Sequence, residues 1–173
     1  LGGSLLALAA CSPATEDSSP DTAIANPDGP VELLVTAAFT AVEGGGGPVG
    51  FLPDSQAPSL GFILSAPREG GIDIFDLDGM LKTRHAGERL TGLAAAPDFE
   101  LRGETLPLIF GAASDSNAVR GYAVVRDGAQ ILDLPLGDIE PIDGVSGLCL
   151  MREGAGFVEL VVLGTGARAE IWR

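Results

Sequence analysis

The sequence predicts an all-β fold assembled from repeats of about 50 residues, the spacing of propeller blades. Three short β-type runs end in an aromatic at the same place: Gly71-Ile72-Asp73-Ile74-Phe75, Val119-Arg120-Gly121-Tyr122 and Arg168-Ala169-Glu170-Ile171-Trp172. Their aromatics lie 47 and 50 residues apart (122 − 75 and 172 − 122). Each is preceded by an apolar strand that closes in small residues, beginning at Leu60, Leu106 and Phe157. Further elements recur in the same order: Thr91-Gly92-Leu93 returns as Ser146-Gly147-Leu148, and Asp78-Gly79 as Asp127-Gly128. Asp-Gly after an apolar run is a tight hairpin turn, because Gly takes φ > 0 without steric cost. The pattern is that of a partial β-propeller with two to three four-stranded antiparallel blades.

Ahead of the repeats, residues 1–10 carry no charge and lead into Leu8-Ala9-Ala10-Cys11. A short apolar run closed by small residues is a signal-peptide core with its cleavage site, too short to span a bilayer. The Leu-Ala-Ala-Cys order resembles a bacterial lipobox, which makes Cys11 the expected lipidated first residue of an envelope-anchored protein. No positively charged segment precedes the run, so a signal truncated at its start is expected. Residues 11–30 are rich in Ser, Thr, Pro and Asp without apolar periodicity, the composition of a disordered tether. The folded part is expected over residues 31–173. Val31 to Thr40 reads as a strand, and Gly44 to Gly47 before Pro48 as a flexible loop. From Leu60 the repeats take over, with one nearly complete unit from about Leu90 to Asp133 and a partial unit on each side.

The 173 residues are long enough to bury a sizeable core. With 25 Gly, 12 Pro and only 5% aromatic residues, they favour short strands and many turns over a helix bundle. A formal charge of −14 excludes nucleic acid as the natural partner, since phosphate backbones need a basic face. With Cys11 lipidated, Cys149 in the apolar run Gly147-Leu148-Cys149-Leu150-Met151 has no disulfide partner and is expected to be a buried, inert thiol.

Several site readings fail on spacing. Asp73, Asp76 and Asp78 lack the closing Glu of a twelve-residue calcium loop, so turn formation is the expected role. His85 is the one histidine and has no Ser or Cys nucleophile motif beside it. The glycine run precedes Pro48 rather than Lys-Ser or Lys-Thr, so it is no phosphate loop.

The segment Gly70-Gly71-Ile72-Asp73-Ile74-Phe75-Asp76-Leu77-Asp78-Gly79 resembles the Gly-Gly-Leu-x-Val-Tyr-Asp-Leu-Asp-Gly stretch of the β-propeller phytases. The likeness continues through Gly87-Glu88-Arg89-Leu90, Ala112-Ala113-Ser114-Asp115-Ser116-Asn117, Val145-Ser146-Gly147-Leu148-Cys149-Leu150 and Ala169-Glu170-Ile171-Trp172. The resemblance implies a six-bladed propeller type that binds several Ca²⁺ ions and hydrolyses inositol hexakisphosphate. Such chemistry needs carboxylates for hard cations and cationic side chains for phosphate.

Departures from the family pattern fall on the chemistry. Ala66-Pro67-Arg68-Glu69 replaces Thr-Asp-Lys-Lys, leaving Arg68 as the one candidate phosphate contact; Thr91-Gly92-Leu93-Ala94-Ala95-Ala96 replaces Asn-Asn-Val-Asp-Val-Arg. Ser116 stands where an Arg is expected and Ser146 where a Tyr is, and an early Asp-Asp-Pro-Ala has no clear counterpart around Pro53-Asp54. The resemblance is therefore to an incomplete leading portion of such a phosphatase, with no catalytic residues assigned and a downstream propeller domain as its expected partner. The alternative is a non-catalytic propeller module that binds substrate or packs on a neighbouring domain of a lipid-anchored envelope protein.

Overall fold

A computed structural model describes residues 45–101, 103–127, 129–136, 143–154 and 157–173, with the backbone alone for 152–154. The segments read as a signal peptide and a tether, Cys11, and the strand expected over Val31 to Thr40 all lie outside the described residues. Those described form an all-β structure of three antiparallel sheets. The first sheet contains β1 (Val49–Leu52), β2 (Phe62–Ser65), β3 (Ile72–Phe75) and β4 (Leu81–His85). The second contains β5 (Gly92–Leu101), β6 (Glu104–Ala113), β7 (Ala118–Val125) and β8 (Gln130–Leu134). The third contains β9 (Val145–Gly154), β10 (Phe157–Gly164) and β11 (Ala169–Trp172). Spatial order follows chain order in every sheet, so each is an up-and-down meander joined by hairpins.

The repeated aromatic sits on one rung of each meander. Phe75 lies opposite Ile63, Tyr122 opposite Ile109 and Trp172 opposite Leu160. Because strand side chains alternate between faces, a common rung gives the three aromatics a common facing within their sheets. The turn after Phe75 is a tight hairpin closed by Gly79 N–H donating to Asp76 O at 3.0 Å, with Gly79 at φ +81°.

Two expectations need correction. Val49–Leu52 is a strand, so the first sheet has four strands and is no partial unit. Four residues between Pro48 and Pro53 are too few for alternation to show, and the two prolines read as loop signals. Cys149 is exposed rather than buried. On β9 the side chains of Leu148 and Leu150 turn toward the second sheet, which puts Cys149 on the opposite, open face.

Two apolar cores separate the sheets. Leu52, Leu64, Ile72 and Ile74 of the first sheet pack with Ile109, Tyr122, Val124 and Ile131 of the second. On its other face the second sheet packs Ala94, Ala96, Leu108, Phe110 and Ala123 with Leu148, Leu160 and Val162 of the third. At roughly 1.5–3 kcal/mol for each large aliphatic or aromatic side chain buried, these two layers are the main favourable term in holding the sheets together. The second sheet is thus covered on both faces, which is why β6 is one continuous buried run from Pro107 to Ala113.

The tightest contact runs along the leading strands, where β5 packs against both β1 and β9. A Cβ added at Gly92 would stand 2.9 Å from the backbone N of Leu148 and 3.1 Å from Cα of Gly147. Both obstacles are main chain and cannot rotate away. Gly92→Ala is therefore expected to lower the unfolding free energy by about 1–3 kcal/mol, as overpacking does, in a denaturant titration. An unchanged or raised stability, as β-propensity alone would give, would show that this approach is not close.

Candidate functional site

Antiparallel hairpins put the polar residues at two opposite ends of the strands. One end gathers the β2–β3 turn, the β4–β5 connection and the β6–β7 turn. There Gly71 N–H donates to Glu88 O at 2.9 Å, holding the β4–β5 connection against the first sheet. Gly70 and Gly71 have φ of +106° and +84°, and a Cβ on either would strike the Gly87 or His85 carbonyl oxygen at 2.4 or 2.1 Å. The Gly-Gly pair is thus required by both conformation and space.

Arg68, the residue singled out from the sequence, is exposed in that first turn, and its Nε donates to Gly46 O at 3.1 Å. It shares a groove of about 380 Å³ with Arg89, Leu90, Thr91 and the Gly46–Gly47 backbone. Among the described residues no carboxylate lines that groove, though Asp115 reaches Arg89 from outside at 3.6 Å. Two guanidinium groups lining one groove suit an anion with several acceptor oxygens.

Beside the groove lies a cluster that sequence reading missed. Glu88 accepts a hydrogen bond from the Ser116 hydroxyl and pairs with Arg120. The Ser116 hydroxyl holds the Glu88 carboxyl below its ordinary value against the opposing effect of burial, and Arg120 adds to the lowering. The three residues come from a connection, a turn and a strand, with separations of 28 and 32 residues, so no local motif could reveal them. Ser146 Oγ, at the other Ser position, donates to Leu163 O at 3.0 Å and stays within its own sheet. Neither hydroxyl is aimed at the groove.

Across the sheets' edge, His85 Nε2 lies 3.1 Å from Asp133 Oδ1, and its ring meets Tyr122 edge-on at 5.6 Å. This contact ties β4 of the first sheet to β7 and β8 of the second. Burial first, and then the charge of Asp133, push the Tyr122 phenol above its ordinary value.

The opposite end holds a cleft of about 680 Å³ lined by Asp54, Asp76, Asp78, Asp127, Lys82 and Arg126, among others. Its composition invites a cation, but two of its four aspartates, Asp54 and Asp76, are committed to other partners. Asp54 Oδ1 accepts from Gln56 N–H at 2.9 Å and Ala57 N–H at 2.8 Å, while Oδ2 pairs with Arg126 at 3.1 Å. Asp76 Oδ1 caps its own hairpin, accepting from Asp78 N–H at 3.1 Å and Met80 N–H at 2.8 Å, with Lys82 at 3.8 Å. The turn role expected for Asp76 is therefore observed. Asp73 is different: buried in β3, it takes Arg84 Nε and Nη2 in a two-point pair at 2.8 Å each. Among the described residues no three His, Cys, Asp or Glu side chains converge as a metal-holding group. These carboxylates do not fit a Ca²⁺ cage, which needs six or more oxygen ligands turned inward.

No protein-family model matches the chain, and no curated protein matches it.

The Glu88 cluster has a pH signature. A carboxyl held low in the folded state contributes stability above its unfolded value, 4.5, and loses it as pH falls through the folded value. Glu88→Gln should accordingly unfold more easily than the parent near about pH 6, with a smaller gap at about pH 3. Urea titrations at the two pH values check this, and a gap that stays constant across them would refute it.

Proposed function

We propose that the chain is an incomplete β-propeller module of a phytase-like phosphomonoester hydrolase, held at the bacterial cell envelope through a lipid on Cys11. In this reading residues 1–173 bind phosphate esters and pack on a further propeller domain without turnover of their own. The observation that carries the reading is the repeat in three dimensions. Three meanders share one strand order and one aromatic rung, and each of the first two buries the face it presents to its successor. The corresponding face of the third sheet exposes Cys149, Met151, Leu163 and Ile171, as a face awaiting another sheet would.

Absence of turnover is supported by what occupies the positions of the family's charged strand. Ala94 and Ala96 are buried in the second core and Ala95 packs against the first. The phosphate-ester part is supported by the Arg68 and Arg89 groove. Ca²⁺ enters only through the resemblance, and no step is assigned to it here.

Calorimetric titration of the chain with inositol hexakisphosphate, with and without Ca²⁺, tests both halves. Binding is expected to weaken roughly tenfold in Arg68→Ala and again in Arg89→Ala, the loss of about one charge-assisted hydrogen bond each. Phosphate release should stay at background. Ca²⁺-dependent release by the chain would overturn the non-catalytic reading, and binding indifferent to both arginines would overturn the groove.

A further inference from the structure

The two arginines of the groove hold different partners. Arg68 gives its Nε–H to the Gly46 carbonyl oxygen at 3.1 Å, and among the described residues no carboxylate pairs with it. Arg89 Nη2 lies 3.6 Å from Asp115 Oδ1. One guanidinium of the groove is thus already countered by a carboxylate of this chain. The pair is loose, since 3.6 Å exceeds the reach of an N–H···O hydrogen bond, about 2.7–3.2 Å, and its side chains are 50% and 65% exposed. Asp73 and Arg84 show the contrast, a buried carboxylate gripped at two points at 2.8 Å each.

Both halves of the pair stand on anchored backbone. Asp115 lies in the β6–β7 turn, where the Ser116 hydroxyl donates to Glu88, Asn117 N–H donates to Ser114 O at 3.4 Å, and Asn117 Oδ1 accepts from Val145 N–H at 2.8 Å. Arg89 lies between Glu88, whose carbonyl oxygen accepts from Gly71 N–H at 2.9 Å, and Thr91, whose N–H donates to Ala112 O at 2.8 Å. None of these contacts passes through the Asp115 or Arg89 side chain. The Ser114 hydroxyl, 3.5 Å from Asp115 Oδ1, is the other donor near that carboxylate. Side-chain rotation therefore parts the pair and leaves the turn and the connection in place.

We infer, on the reading of this groove as a phosphate-ester site, that Asp115 is an internal competitor for it: the carboxylate holds Arg89 until a phosphate takes its place beside Arg68. The exchange favours the phosphate on geometric grounds, because its several oxygens can accept from both guanidinium groups while Asp115 reaches only one. It also lowers the affinity of the parent chain. When a binding-competent arrangement is only partly populated, apparent affinity falls by that fraction, so a pair formed half of the time weakens binding about twofold. Removing the carboxylate lifts the reduction. Asp115 thereby sets the phosphate concentration at which the groove fills, without touching the phosphate itself.

Calorimetric titration with inorganic phosphate compares the parent chain with Asp115→Asn and Asp115→Ala. Both variants are expected to bind about two- to fivefold tighter, the range that an exposed ion pair allows. The gain is expected to vanish when either is combined with Arg89→Ala. Unchanged affinity in both variants, with binding that still depends on Arg68 and Arg89, overturns the competitor role and leaves the phosphate reading in place. A gain of equal size in the Arg89→Ala background also overturns it, by assigning the effect to net charge rather than to the pair. No binding by the parent or by any variant overturns the phosphate reading and the competitor role together.

Discussion

The close passage of β5 between its neighbours is the constraint from which the rest of the structure follows. This strand leads the second sheet and is pressed on one side by β1 and on the other by β9. Only small side chains fit where three backbones approach, and the strand supplies Gly92, Ala94, Ala95 and Ala96 in near succession. With the leading strands in contact, the sheets diverge outward, and larger side chains such as Ile109, Phe110 and Tyr122 fill the widening space. The gradient from small to large therefore sets how the sheets stack.

That same gradient explains which parts of the fold were legible in the sequence. The aromatic rung was readable because the three aromatics recur at near-equal sequence spacing, 47 and 50 residues, even though Tyr122 lies inside β7 while Phe75 and Trp172 end their strands. β1 was not readable, since Val49–Leu52 becomes a strand by pairing with Phe62–Ser65 across the sequence between them. The exposure of Cys149 was misjudged for a related reason. An apolar run predicts burial on both faces, as it does for β6, but a strand in the third sheet has a covered face and an open one.

For the site, the sequence reached Arg68 and no further. The groove it shares with Arg89 depends on the Gly70–Gly71 pair folding one connection onto another, and the Glu88, Ser116 and Arg120 cluster joins three separate segments. Charged side chains find partners through space, and a net acidic composition conceals them further by making every Asp look alike. The structure distinguishes these residues by what they bind. Asp73 is consumed by Arg84, Asp54 by Arg126 and two amides, and Asp76 by its own hairpin.

Packing and chemistry compete for the same strand. A charged side chain at Ala94 or Ala96 would enter an apolar core of Leu108, Phe110, Leu148, Leu160 and Val162. Burying an unpaired charge costs several kcal/mol even after relaxation, more than the hydrophobic gain from any one neighbour in that layer. A sheet covered on both faces thus excludes charge from the stretch that approaches its neighbours most closely. Polar groups are displaced largely to the turns at the two ends, where Arg68, Arg89, Asp54 and Asp76 are found. A site built on this scaffold must accordingly be assembled from connections between strands, and its precision rests on devices such as the Gly70–Gly71 contact with residues 85–88. The alanines of β5 and the arginines of the groove are two consequences of one burial requirement.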